Sequence, residues 1–267
     1  MNLNYYDTTG VEHLVENYFE LSFSEESVPF QSTILPLALT NFTYIFSGNQ
    51  FALVDGSKIP LERLIVSGQF FRSYKFFVNS EGRSFGVSFH PTALYKLLGI
   101  DISRLTNKHV PLYEVHQDFH DKLSPLFKSY NNPTETIKKI NAILLESKLF
   151  EDKNSIFIDQ AIHNIKRTEG MIQIEELLND LPFSQKSLET HFKKIVGLTP
   201  GKYIRLYRFF HLMRKYESQQ IELKDLIYMY DYYDQSHFAK DFKLFMSESP
   251  HSYFKKDYPF IKKYLVH

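Results

Sequence analysis

SQKSLETHFKKIVGLTPGKYIRLYRFFHLMRKY, running from Ser184 to Tyr216, carries Lys186, Lys193, Lys194, Lys202, Arg205, Arg208, Arg214 and Lys215 against one acid, Glu189. The whole chain of 267 residues balances 31 Lys and Arg against 31 Asp and Glu, so the excess is local. A local basic stripe is the electrostatic footprint of a polyanion, but a charge run is just as often a solvated helix face. The order of the residues decides between the two. Leu188, Phe192, Ile195 and Val196 recur at helical spacing and make one apolar face, with Lys186, Glu189, Thr190 and Lys193 opposite. Ser184 is placed to cap the first turn. Gly197 is placed to stop the helix, and Thr199-Pro200 to start the next with proline at its first position.

Upstream, Ile174, Leu177, Leu178 and Leu181 form a short amphipathic segment that ends near Pro182. A short helix, a tight turn and a basic helix make a helix-turn-helix unit, here at about 172–197, whose second helix fits a DNA major groove. The design then returns at about 222–246. Leu226, Ile227 and Tyr230 stand for the first helix, and Phe238, Phe242 and Phe245 for the inner face of the second, while Ser249-Pro250 echoes Thr199-Pro200. The helix at 200–216 joins the units. Its 17 residues span roughly 26 Å at about 1.5 Å per residue.

These residues carry a resemblance. The pattern LSxxxLxxxFKxxxGxTPxxYxxxxR is met by Phe183-Ser184, Leu188, Phe192-Lys193, Gly197, Thr199-Pro200, Tyr203 and Arg208. The pattern GYxDQSHFxxxFK is met by Tyr232, Asp234-Gln235-Ser236-His237-Phe238 and Phe242-Lys243. Over about its last hundred residues the chain resembles the AraC family of transcription regulators, which bind DNA through two helix-turn-helix units in tandem. Departures are visible: Asp231 stands where the family has glycine, Leu178 and Ile227 replace a small alanine, and Thr190 and Lys240 occupy places where arginine is common. Aspartate tolerates left-handed backbone better than most residues, so the turn at Asp231 is expected to survive. The bulkier Leu178 and Ile227 are expected to widen the helix crossings.

The N-terminal half is different material. Segments at 14–23, 32–48, 50–55, 62–70, 72–79 and 84–90 are short, aromatic and β-branched, with Gly, Asn, Asp and Pro between them, which predicts a sandwich or barrel. Pro91 opens a short helix closed by Gly99. The stretch 85–112, FGVSFHPTALYKLLGIDISRLTNKHVPL, resembles the cupin-like sensor domain of AraC-type regulators. Amphipathic helices are expected at about 113–129, 133–149 and 156–168, either covering the barrel or exposing a dimer face. The fold class is therefore α+β in two domains: a β-rich cupin-like domain with bridging helices at 1–150, and an all-α tandem helix-turn-helix domain at 151–267.

Composition excludes several chemistries. There is no cysteine, hence no disulfide, thiolate metal site or cysteine nucleophile. Gly197 to Tyr203 imitates a phosphate loop, but only three residues separate its glycines, no Ser or Thr follows Lys202, and Pro200 starts a helix. His116 and His120 are four apart, with Gln117 where a zinc protease needs glutamate and no third ligand in view. His90 has no His-x-His partner, and no nucleophile elbow is present. We expect no catalytic residue, cofactor or metal. No apolar run approaches the roughly 18 residues of a membrane span, and the first residues lack a signal-peptide pattern. A cytoplasmic protein without a membrane partner is expected.

The expected DNA-binding residues are Lys186, Glu189, Thr190, Lys193, Lys194, Lys202, Arg205 and Arg208 from the first unit and the joining helix, and Gln235, Ser236, Lys240 and Lys243 from the second. The resemblance implies double-stranded DNA and RNA polymerase as partners, a small-molecule effector and a homodimer. The alternative is a protein–protein adaptor with a degenerate helix-turn-helix domain. It is kept open by residues 217–241, where Glu217, Glu222, Asp225, Asp231, Asp234 and Asp241 face only Lys224 and Lys240. On that count the first unit should dominate DNA binding. Asp225 and Asp234 are expected as helix caps, and Asp241 is expected to face the protein body.

Overall fold

In the computed structural model, which describes residues 1–218 and 221–265, ten strands precede most of the helices. They are β1 (Asn2–Tyr6), β2 (Val15–Phe23), β3 (Phe30–Ile34), β4 (Thr40–Ser47), β5 (Gln50–Val54), β6 (Ser57–Pro60), β7 (Arg63–Ser67), β8 (Tyr74–Val78), β9 (Gly82–Phe89) and β10 (His109–Pro111). All pair antiparallel, in a six-stranded sheet of order β1-β2-β9-β4-β7-β10 and a four-stranded sheet of order β3-β8-β5-β6. The helices are α1 (Ala93–Leu98), α2 (Leu112–Val115), α3 (Gln117–Lys128), α4 (Pro133–Glu146), α5 (Lys153–Arg167), α6 (Ile174–Asn179), α7 (Gln185–Val196), α8 (Pro200–Glu217), α9 (Leu223–Met229), α10 (Gln235–Met246), α11 (Pro250–Tyr253) and α12 (Pro259–Leu265).

Strand alternation sets the layers. In β4, Phe42, Tyr44 and Phe46 take one face of the larger sheet and Asn41, Thr43 and Ile45 the other. The aromatic face lies under α3: Phe42 meets Phe119 at 5.6 Å between ring centroids, and Tyr44 stacks on Phe127 at 4.7 Å. The second face meets the smaller sheet, where Leu21, Phe23, Ile45 and Ile65 pack with Ala52, Phe76 and Val78. Of the two readings of the bridging helices, α3 takes the covering one, since Phe119, Leu123 and Phe127 are all buried. On α4, Ile140 and Leu144 are buried while Leu145 is exposed.

Several elements differ from the sequence expectation. The segment 32–48 is two strands, broken at Pro36 and at Ala38, whose φ is 58°. β1, β6 and β10 lie outside the expected segments: β1 and β10 are the outermost strands of the larger sheet and β6 an outer strand of the smaller, and β6 and β10 are too short to show the alternation of a half-buried strand. The helix expected at 113–129 divides at His116, whose extended backbone lets Nδ1 accept from the Phe119 N–H at 3.2 Å. α5 starts three residues early because Asp152 and Ser155 close a reciprocal capping box. α12 was missed altogether. The boundary expected at residue 150 falls between α4 and α5.

The N-terminal half grips the helical half at both units. Thr106 Oγ1 donates to Gly197 O at 2.6 Å, at the end of α7. Ser73 N–H donates to Phe245 O at 2.6 Å, near the end of α10, where Phe71 also meets Phe245 edge-on at 5.2 Å. Tyr203 OH donates to Ala38 O at 3.3 Å, and Tyr264 OH accepts from Leu35 N–H at 2.7 Å.

Candidate nucleic-acid interface

Each unit holds its second helix by a buried stripe and leaves the opposite side to solvent. Leu188, Phe192, Ile195 and Val196 of α7 are buried, as are Phe238, Phe242, Phe245 and Met246 of α10. Ser184 caps α7, accepting from Ser187 N–H at 3.3 Å, and Gly197 stops it at φ 98°. Asp234 caps α10, accepting from His237 N–H at 2.7 Å, and Ser247 stops it at φ 59°. Ser249 caps α11 ahead of Pro250, just as Thr199 stands ahead of Pro200 in α8. The internal repeat is therefore geometric as well as verbal.

The turn at Asp231 survives without glycine. Its φ is 55°, Asp231 N–H donates to Tyr228 O at 3.1 Å and Tyr232 N–H to Ile227 O at 3.1 Å. This pair of bonds is the Schellman ending, which needs a left-handed residue at its centre. Asp225 is not a cap: Glu222 holds the cap position of α9, and Asp225 lies in the first turn.

On α7, Lys186, Glu189, Thr190 and Lys193 are exposed. Gln185 Nε2 donates to Glu189 Oε1 at 3.2 Å, and Thr190 Oγ1 donates to Lys186 O at 2.8 Å. On α10, Gln235, Ser236, Lys240 and Lys243 are exposed. Four other expected residues stand apart from these faces. Lys194 Nζ lies 5.9 Å from the Tyr95 ring centroid, and Lys202 Nζ 5.2 Å from that of Phe71, both rings belonging to the N-terminal half. Arg205 is given to Asp241, which is 2% exposed. Arg208 sits over the Tyr232 ring at 5.8 Å, with its Nε buried and unpartnered. Tyr232 OH donates to Asp241 Oδ2 at 3.3 Å, and burial followed by the Asp241 charge pushes that phenol well above its ordinary pKa. Lys194, Lys202 and Arg205 stay exposed to solvent while making these contacts, and Arg208 is half-buried.

The acids of the second unit are also partly internal. Asp241 is buried as expected, and Glu217, 8% exposed, accepts from Tyr253 OH at 2.7 Å. Glu169, at the end of α5, takes Lys215 of α8 at 2.7 Å and the hydroxyl of Tyr230, tying three helices together. His116, His120 and His90 all have structural partners: the α3 cap, Asp121, and Glu12 O with Glu16. Among the described residues no cluster could hold a metal, and no helix is long and apolar enough to cross a membrane. A cavity of about 260 Å³ lies between the two sheets and is lined on the helical side by Phe210 of α8 and Phe260 and Tyr264 of α12.

Residues 177–256 match a family described as a helix-turn-helix domain, and residues 8–111 match one described as a domain of unknown function (DUF6597). The chain is 27% identical over 82 residues to the HTH-type transcriptional activator AarP of Providencia stuartii, covering 31% of this chain and 61% of that protein. It is 28% identical over 86 residues to the probable transcription factor PqrA of Proteus vulgaris, covering 32% and 70%. Among solved structures, ToxT from Vibrio cholerae aligns with a TM-score of 0.47 at 14% identity, covering 88% of this chain and 97% of that one. Both signatures fold as a tandem of capped helix-turn-helix units within the matched residues, so the C-terminal part of the chain is a helix-turn-helix domain of AraC type.

Proposed function

We propose that the protein is a sequence-specific DNA-binding transcription regulator and not an enzyme, controlled through its N-terminal half by a small ligand or by dimerisation. The observation that carries this reading is the pair of exposed faces on α7 and α10, each backed by a buried stripe and joined by one continuous helix. At 18 residues, α8 is about 27 Å long. With the helix widths added, that approaches the roughly 34 Å repeat of the major groove.

In this reading Lys186 donates to guanine and Glu189 accepts from a cytosine amino group. Thr190, its hydroxyl proton spent on Lys186 O, offers its methyl to thymine. Gln235 and Ser236 play the corresponding part at the N-terminal end of α10. Lys193, Lys240 and Lys243 contact phosphates, which fix register without reading bases. Lys194, Lys202, Arg205 and Arg208 act from behind, positioning the helices. RNA polymerase as a partner, a homodimer and a cytoplasmic location belong to the same reading, which the names of the transcription-factor relatives support.

A second reading, a protein–protein adaptor, has one observation in its favour: Tyr228 and Tyr233, beside α10, are 85% and 94% exposed. Duplex binding across a salt series separates the two. A regulator binds a selected duplex tightly with a steep salt dependence, whereas an adaptor shows no sequence preference.

A further inference from the structure

Five strands of the larger sheet meet along one polar line. The register pairs Asn17 with Ser88, Ser88 with Asn41, Asn41 with Ser67, and Ser67 with His109. Residues directly opposite on paired strands share a face, so these side chains cross the sheet as a single row toward the four-stranded sheet. At about 4.8 Å between strands, its four steps extend about 19 Å. Two residues along each strand the row becomes Phe19, Gly86, Thr43 and Ile65, and two further Leu21, Ser84 and Ile45. The wall thus grades from polar to apolar. Gly86 is required here because a Cβ would fall 2.0 Å from the Phe19 ring.

The whole polar row lines the cavity between the sheets, whose facing wall includes Ile34, Tyr74 and Phe76. Three buried polar atoms around it have no partner: Asn17 Oδ1 and His109 Nε2 at the two ends of the row, and Gln50 Oε1 on the facing sheet. Ser67 Oγ and His109 Nδ1 lie 2.8 Å apart, which fixes the ring and leaves Nε2 buried without a partner. Unpaired buried polar atoms cost free energy that an occupant with matching groups would recover.

Charge narrows the occupant. The charged lining residues are Glu16 and Arg214, apart from the imidazole of His109. Glu16 is taken by His90 at 2.9 Å and Lys166 at 3.6 Å, and Arg214, on α8 and so outside the polar row, lines the cavity while remaining exposed to solvent. Burial lowers His109 to about 4, so it is neutral near pH 7. The row itself, Asn17, Ser88, Asn41, Ser67 and neutral His109, supplies no cation, so an anion lying along it would be desolvated against uncharged side chains.

We propose that this cavity binds an uncharged amphiphile, an apolar body bearing hydroxyl, carbonyl or amide groups along one edge that pair with Asn17, Ser88, Asn41, Ser67 and His109. The proposal rests on the reading of the N-terminal half as a ligand sensor. Because Phe210, Phe260 and Tyr264 line the cavity, its occupant is placed beside α8, the helix that joins the two DNA-binding units, and beside α12.

The test is calorimetric titration of the full chain at pH 7.5 with two probes of equal shape, 6-hydroxy-2-naphthamide and 6-hydroxy-2-naphthoate. The amide is expected to saturate at one per chain and to bind at least tenfold more tightly than the carboxylate. Asn41→Leu and His109→Phe are each expected to weaken the amide about tenfold. Asn41→Leu, on a half-buried residue, guards against a folding failure at His109, and a thermal melt of each variant verifies the fold. The proposal is overturned if the carboxylate binds as well as the amide, if neither probe saturates, or if a folded Asn41→Leu binds the amide like the wild type. Duplex affinity of the same preparations is measured in parallel. Retained DNA binding without amide binding sinks the ligand class alone, and lost DNA binding sinks the regulator reading.

Discussion

Arg205 on α8 gives its guanidinium to the carboxylate of Asp241 on α10, and that carboxylate is 2% exposed. One ion pair thus ties the joining helix to the exposed helix of the second unit. The pair engages one edge of the Arg205 guanidinium, whose side chain remains 44% exposed. Arg205→Ala leaves the buried carboxylate with Tyr232 as its one remaining side-chain donor among the described residues and should cost about 2–3 kcal/mol in urea denaturation. Its duplex salt slope should match the wild type at temperatures where both are folded. The double variant Arg205→Met with Asp241→Leu should recover most of the lost stability, because no charge is then stranded.

Glu217 supplies a pH signature. Burial raises its carboxyl above the ordinary glutamate range, although Tyr253 OH donates to it. A carboxyl held higher in the fold than in the unfolded chain binds its proton more tightly when folded. Its contribution is complete below the ordinary value and is lost as pH rises through the raised one. Glu217→Gln keeps an oxygen for Tyr253 and removes that loss. Urea denaturation from pH 4 to 8 should show the variant at least as stable as the wild type at pH 7, by up to about 1 kcal/mol, with a flatter profile. A variant less stable at every pH would contradict this.

The joining helix should act as a rigid spacer. Leu206 is fully buried in α8, and proline there removes a ladder hydrogen bond and clashes with the preceding turn, at about 3 kcal/mol or more. Leu206→Pro should lose affinity for a full operator well beyond the loss for Leu206→Ala, measured on the same duplex. Equal affinity for the two variants would mean that the units find their sites independently.

Much of this architecture can be read from local pattern, because the same device is written twice. Ser184 and Asp234 cap, Gly197 and Ser247 stop, and Pro200 and Pro250 restart the chain. β4 is legible for a similar reason, since its aromatic and polar residues alternate. What escaped has long-range causes. β10 is three residues long and is a strand only because β7 offers it an edge. The row from Asn17 to His109 joins residues as far as 92 apart through register alone, which no single strand encodes. Charge counting along 217–241 made the second unit look repulsive to DNA, yet Glu217 and Asp241 are buried and partnered. The exposed face of α10 itself carries Lys240 and Lys243. Both units are therefore expected to contribute.

Glu189 and Lys193 separate reading from holding. Glu189→Ala should relax preference at one base position, changing discrimination by about 1–3 kcal/mol there, while Lys193→Ala should weaken all duplexes alike. Site selection from a random duplex library with each variant reads both effects. Equal shifts at every site for both variants would refute the base-reading assignment of Glu189.

The most direct test of the central claim is duplex affinity across a salt series for the wild type, Lys193→Ala and Lys240→Ala, using the selected operator. If α7 and α10 both lie along DNA, each variant flattens the slope of log affinity against log salt by about 0.9. A wild type without salt dependence, or slopes unchanged in both variants, would contradict the account.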